Sequence, residues 1–304
     1  MELGERLTGK VTIVRKRRAD GDMQYILKTT HTNCLEEPTN NDELQILQLV
    51  GRHQNLIRKH HSNKNWYNGN TQILLEYING RSLNGLHIQD EVQLSRVANQ
   101  ILEALTHIHK KSIAHMAIQP DHVLVNPNMT VKLCSFGHSK IIEAAMCRVI
   151  PSLERAAVRP ALPNHGAQYL SPEAIQAASS RRGLNALNLF QQDVWGTGMV
   201  VWELFVGHYP LAQVDFSANL DTIHRAITDS LPLQEVPGAT EELIDFLNSC
   251  LNVNAQERST VATLHSMLLL LSRQMQMPTP RFIIVANLKD QSEISNSENT
   301  VSSE

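Results

Sequence analysis

The sequence predicts an α+β chain of two lobes, a small β-rich N-terminal part followed by a larger, mostly helical part. Three observations carry this reading. Short β-rich runs fall in the first 78 residues, apolar residues at helical spacing dominate from Val92 onward, and no internal repeat breaks that order. At 304 residues there is enough chain for one large domain or two small ones with a sizeable core.

The elements follow in order. Lys10–Val14 and Met23–Thr29 read as strands parted by Asp20-Gly21-Asp22, a hairpin-like signal. Glu36-Glu37-Pro38-Thr39-Asn40 is a breaker, and Asn40-Asn41-Asp42 offers a cap for a helix carrying Leu44, Leu47 and Val50. Asn63–Asn70 is polar and turn-rich, and reads as a connection. Gln72–Ile78 is a strand ended by Asn79-Gly80. Val92–Lys110 is an amphipathic helix with Leu94, Val97, Ile101, Leu105 and Ile108 on its apolar face. Two short strands flank Pro127-Asn128. Val194–Phe205 is apolar nearly all round, as in a helix buried in the middle of a lobe. Glu241–Leu251 and Thr260–Arg273 are further helices, Phe282–Val285 is a short apolar strand-like piece, and Ser292–Glu304 has a disordered composition.

Composition narrows the function classes. With 27 Lys and Arg against 30 Asp and Glu, a net charge of −3 gives no global case for nucleic acid. The cluster Arg15-Lys16-Arg17-Arg18 reads as a solvated strand end. Cys34, Cys134, Cys147 and Cys250 are scattered, without metal-ligand spacing or a disulfide framework, which fits a reducing compartment. The start of the chain lacks an apolar signal core, and Met267–Leu271 is too short to span a bilayer. A soluble cytoplasmic protein is expected, with the nucleus as the alternative, and neither membrane nor nucleic acid as partner.

The chemistry-bearing stretch is His115-Met116-Ala117-Ile118-Gln119-Pro120-Asp121-His122-Val123-Leu124-Val125, followed by Lys132-Leu133-Cys134-Ser135-Phe136-Gly137. It resembles the catalytic and metal-binding loops of eukaryotic protein kinases, His-Arg-Asp-x-Lys-Pro-x-Asn and Asp-Phe-Gly. Other pieces follow in the family's order. Gly4-Glu5-Arg6-Leu7-Thr8-Gly9-Lys10-Val11 is similar to the glycine-rich loop, with Arg6 for the middle glycine. Tyr25-Ile26-Leu27-Lys28 resembles the lysine strand, with Glu43 as the lysine's partner. Leu74–Gly80 resembles the hinge, with Leu75 as gatekeeper and Glu76 and Ile78 behind it. Tyr169-Leu170-Ser171-Pro172-Glu173, Asp193-Val194-Trp195-Gly196 and Arg258 resemble the anchor motifs of the helical lobe. The resemblance runs from about Gly4 to Leu271, with a weaker likeness to the mitogen-activated protein kinase kinase group. It implies a two-lobed protein kinase-like fold at 1–272, the N-lobe about 1–76 and the C-lobe about 77–272. Residues 273–304 would then be an extension, largely disordered at its end.

What the resemblance implies for function is set by substitutions. Ala117 stands where the family has its base, Gln119 where it has a lysine, and His122 and Ser135 where it has metal ligands. Ala167 replaces the threonine before the Pro-Glu motif. Magnesium takes oxygen ligands in octahedral geometry, which a hydroxyl and an imidazole supply poorly. No metal is expected, since His115 and His122 have no third ligand near them in sequence, and Asp121 reads as a solvated turn residue. The nucleotide pocket would be vestigial, lined by Gly4, Gly9, Val11, Lys28, Glu43, Glu76, Ile78 and Leu124. Arg6 and Ile26 oppose nucleotide while Lys28 and Glu43 permit it. No cofactor is therefore expected, ATP without magnesium being the alternative. Leu47, Phe136 and His115 are expected to stack between the lobes. Ser139, Ser152, Tyr169 and Ser171 are the hydroxyls between Gly137 and Pro172, and Ser152, between Arg148 and Arg155, is the one phosphorylation candidate. With so few residues before Gly4, the first strand is expected to be short. The implied role is a catalytically inactive scaffold or allosteric regulator, bound to an active kinase or another signalling protein. The alternatives are a kinase with unorthodox or residual transfer activity and a nucleotide sensor.

Overall fold

The computed structural model describes residues 2–6, 9–16, 23–31, 43–65, 70–142, 168–179, 186–215 and 218–274. A five-stranded antiparallel sheet forms first, from β1 (Glu2–Arg6), β2 (Gly9–Lys16), β3 (Met23–His31), β4 (Lys59–Asn65) and β5 (Asn70–Glu76), in the order β1-β2-β3-β5-β4. Helix α1 (Glu43–Val50) lies between β3 and β4 in the chain and buries Leu44, Ile46, Leu47 and Val50.

Two strands depart from the sequence reading. β1 occupies part of the expected glycine-rich loop and closes a hairpin in which Arg6 faces Gly9. β4 occupies part of the stretch read as a polar connection. Its residues Lys59-His60-His61-Ser62-Asn63-Lys64-Asn65 have low strand preference, but an edge strand needs only one partner, and β5 supplies it with Ser62 opposite Ile73.

The helical lobe opens with β6 (Arg81–Ser82), which pairs in a small sheet with β8 (Val123–Val125) and, through it, β9 (Val131–Leu133). Gly80 enters β6 so close to this sheet that an added Cβ would lie 2.1 Å from the Val125 carbonyl oxygen, which only glycine tolerates. Helix α2 (Glu91–His109) is capped by Asp90, which accepts the Val92 N–H, and its apolar face buries Leu94, Val97, Ala98, Ile101, Leu102, Leu105 and Ile108. A second two-stranded pair joins β7 (Ile113–Ala114) to β10 (Lys140–Ile141). Then come α3 (Pro172–Ser179), α4 (Ala186–Val206), α5 (Leu220–Asp229), α6 (Glu241–Cys250) and α7 (Val261–Gln274). From Gln191 to Val201 every residue of α4 is buried, so the helix that reads as apolar all round is the axis of this lobe.

α1 is tied to the lower lobe at its C-terminal end. Lys111 Nζ donates to the carbonyls of Leu49 (2.9 Å) and Val50 (2.8 Å), and His107 Nε2 bonds Val50 O at 2.9 Å. These cations and donors satisfy carbonyls that a helix end leaves free.

Candidate functional site

The loops of interest hang from the start of α4. Asp193 is completely buried, and its carboxylate accepts the backbone N–H groups of His115 (2.7 Å) and Met116 (2.7 Å) and the ring Nε2 of His109 (2.8 Å). One helical carboxylate thus fixes the turn into the loop. Gly196, one turn on, lets Ile118 lie against the helix, where a Cβ would meet the Ile118 backbone oxygen at 2.8 Å. The chain tolerates left-handed backbone at Met116 (φ 66°) and Ser135 (φ 68°), conformations that cost a non-glycine residue on the order of 1–3 kcal/mol and persist only where the surroundings enforce them.

Inside the loop the hydrogen bonds close on themselves. His122 Nδ1 bonds the Ala117 carbonyl at 2.8 Å, and its Nε2 faces the Gln119 side-chain nitrogen at 3.1 Å. These partners assign a neutral ring that donates through Nδ1 and accepts at Nε2. His115 is also neutral by its partners, bonding Cys134 O through Nε2 at 2.9 Å and accepting the Ala117 N–H at Nδ1. Its complete burial lowers its pKa to about 4, against a smaller opposing effect of Asp193. Its ring meets Phe136 edge-on, 4.9 Å between centroids, and Leu47, Phe136 and His115 are all buried. Asp121, read from sequence as a solvated turn residue, is half-buried and accepts from Asn84 at 3.1 Å.

Across the cleft, Lys28 Nζ lies 2.6 Å from Glu43 Oε2, a partly buried ion pair joining β3 to α1. Val11 is the register partner of Lys28, and Ile26, two residues from the lysine, lies on the same sheet face and pairs with Leu75. Val11, Ile26, Ile78 and Leu124 are each half-buried. Glu76 is turned to structural use: its Oε1 accepts the Arg58 N–H (2.7 Å) and Lys132 Nζ (2.8 Å). Gly4 and Gly9 lie in the β1–β2 hairpin. Among the described residues no group of three or more His, Cys, Asp or Glu could hold a metal ion, and no helix is long and apolar enough to cross a membrane.

A second anchor lies below. Arg258, its side chain fully buried, makes a bidentate pair with Glu173, Nη1 to Oε1 at 2.8 Å and Nη2 to Oε2 at 3.0 Å. It also donates to the carbonyls of Gln191 and Asn252 and lies 5.1 Å from the centroid of Trp195. Tyr169 donates to Glu203 at 2.6 Å, and burial drives both groups to higher pKa.

Sequence reasoning passed over three residues. Met116 stands at the arginine position of the His-Arg-Asp motif and packs in an apolar cluster with Ala114, Ala174, Ala177 and Leu189. The signal was in the motif itself. His109 and Glu203 have no local signature, since their partners lie 84 and 34 residues away. Ser139 and Ser171 are completely buried. Ala167, Ser152, Arg17-Arg18, Asp20–Asp22, Glu36–Asn40, Cys34, Cys147 and everything after Gln274 lie outside the described residues.

A small antiparallel sheet over a helical lobe, a lysine–glutamate pair between sheet and helix, and a loop hung from a buried aspartate define the two-lobed protein kinase architecture. The chain belongs to the protein kinase domain family, whose family model matches residues 1–269. Its relatives include mitogen-activated protein kinase kinase 7 of Arabidopsis thaliana, 29% identical over 197 residues (64% of this chain, 59% of the relative). Mitogen-activated protein kinase kinase 8 of the same plant is 28% identical over 245 residues (79% and 72%). Protein kinase wis1 of Schizosaccharomyces pombe is 30% identical over 195 residues (62% and 30%). The chain thus spans between about a third and three quarters of the length of these relatives.

Proposed function

We propose that the chain is a catalytically inactive member of its family, acting as a scaffold or allosteric regulator of a signalling protein. The observation that carries this reading is the closed hydrogen-bonding of the loop. His122, where the family has a metal-binding asparagine, has one ring nitrogen bonded to Ala117 O and the other facing Gln119. Phosphoryl transfer rests on positioning and on neutralising charge with magnesium. His122 and Ser135 offer a nitrogen and a neutral hydroxyl, a donor set that does not suit a hard cation, and Ala117 offers no proton acceptor. Losing one such oriented group costs about 10²–10³ in rate, and several need not add.

The partner we infer is another protein, an active kinase or a component of a kinase cascade, since the relatives carry mitogen-activated protein kinase kinase names. Cytoplasm, or alternatively nucleus, goes with such a partner. A second reading has its own support. The Lys28–Glu43 pair at 2.6 Å is kept, and it favours a chain that still binds ATP, without magnesium or with residual transfer. Two measurements separate the readings. Under the first, ATP with or without magnesium leaves the melting temperature unchanged, because only a ligand that binds the folded state stabilises it. A radiolabelled transfer assay then gives the same background for the wild type and Lys28→Met. A clear ATP-dependent rise favours the ATP-binding reading, and transfer that Lys28→Met abolishes sinks the inactive one.

A further inference from the structure

The outer face of the five-stranded sheet carries a hollow that the cleft between the lobes does not use. It has a volume of about 270 Å³ and is lined by Val14, Tyr25, Leu74, Arg15, Lys16 and His60. The strand register builds it. Val14 and Tyr25 are cross-strand partners, as are Lys16 and Met23. Alternate residues share a face, so Lys16 stands beside Val14 and Met23 beside Tyr25, while Arg15, the partner of Gln24, starts from the opposite face and borders the hollow from there. Met23 is 41% exposed, which among the described residues only Leu49 exceeds for a large apolar side chain. The Tyr25 ring meets His60 edge-on at 5.0 Å, closing one side.

The rim is positive. Arg15 and Lys16 are exposed. Burial lowers the pKa of His60, Arg58 lowers it further, Glu76 opposes, and Arg52 adds the smallest lowering, so the ring itself stays neutral. That one acid is already engaged by Lys132 Nζ and the Arg58 N–H. An apolar floor beneath a cationic rim matches a ligand that is apolar at its centre and negative at its flanks.

We propose that this hollow docks an acidic peptide segment of a partner protein, seating an apolar side chain on Val14, Tyr25 and Leu74 and its carboxylates against Arg15 and Lys16. The small apolar floor favours peptide over nucleic acid, whose affinity comes from many phosphate contacts along an extended basic track and needs no such floor. The inference goes beyond the inactive reading and holds whether or not the cleft transfers phosphate.

The test is fluorescence anisotropy of the full chain with a short synthetic peptide of alternating glutamate and leucine. Saturable binding is expected. It should weaken about tenfold in the double variant Arg15→Glu/Lys16→Glu, and by a similar factor when serine replaces leucine in the peptide. The milder Arg15→Gln/Lys16→Gln, with an unchanged melting temperature, guards against misfolding and should fall between. No binding, equal binding of the glutamate–serine peptide, indifference to both double variants, or tighter binding of a DNA oligonucleotide of the same net charge would each overturn the proposal. No transfer assay enters, so its failure is separate from failure of the inactive reading.

Discussion

The catalytic-loop region and the lower anchor of the helical lobe belong to one family pattern, yet they are held by different chemistry. At the anchors, Asp193 and Arg258 are deeply buried and Glu173 is half-buried, and hydrogen bonds hold all three charged groups. In the loop, Ala117, Gln119, His122 and Ser135 are neutral, and the bonds among the first three are short local ones. The difference follows from what each charge is for. A buried charge inside a hydrogen-bonded network cannot be deleted without stranding its partners. A charge placed to meet a metal or phosphate leaves no protein partner behind, and a neutral side chain can replace it without penalty to the fold.

This comparison is sharpest at Asp193. Asp193→Ala removes the acceptor for two buried backbone N–H groups and a histidine, and should cost about 3–5 kcal/mol in denaturant unfolding, the largest effect expected of a single change here. Arg258→Met strands Glu173 and should cost about 3 kcal/mol. The pair Arg258→Met/Glu173→Leu should recover part of that loss, and a double-mutant cycle measures how much.

Acid tests the boundary between the two regions. Burial lowers the folded-state pKa of His115 to about 4 from the ordinary 6.5, so its contribution is fully present above about pH 6.5. As the pH falls below that, the unfolded chain takes up the proton first. Stability is then lost until about pH 4, amounting to a few kcal/mol. In His115→Phe, whose aromatic ring keeps the contact with Phe136, that part of the slope should vanish. Parallel curves of melting temperature against pH for the two proteins would show the loss to lie elsewhere. The smallest effect belongs to the loop: His122→Ala removes neutral hydrogen bonds and should cost about 1–2 kcal/mol. A cost matching that of Asp193→Ala would erase the distinction drawn here.

Much of this was legible in the residues. The long helices announce themselves by periodicity, and the motif residues fall in family order, so the Lys28–Glu43 and Arg258–Glu173 partners could be named without coordinates. β1 and β4 could not. The described residues of β4 are exposed or half-buried, and a strand held mainly by backbone pairing leaves a faint mark on side-chain choice. The closed bonding of His122 was equally hidden. The sequence shows an imidazole in place of an amide, but only geometry shows both its nitrogens turned inward. The hollow on the sheet's outer face depends on register across several strands, so Arg15 and Lys16 alone read as an ordinary solvated strand end.

The two-ended tether of α1 has a consequence for any protein that recognises this one. Lys28 holds the helix at Glu43, while Lys111 and His107 hold its last carbonyls. In a switchable protein only the fraction of molecules with the helix correctly placed is competent to bind, and the apparent affinity is diluted by that fraction. Here the chain's own side chains hold both ends of the helix, an arrangement that favours one placement of it. A partner would meet no waiting time and no dilution, and the strength of the encounter would follow the abundance of this chain in the cell.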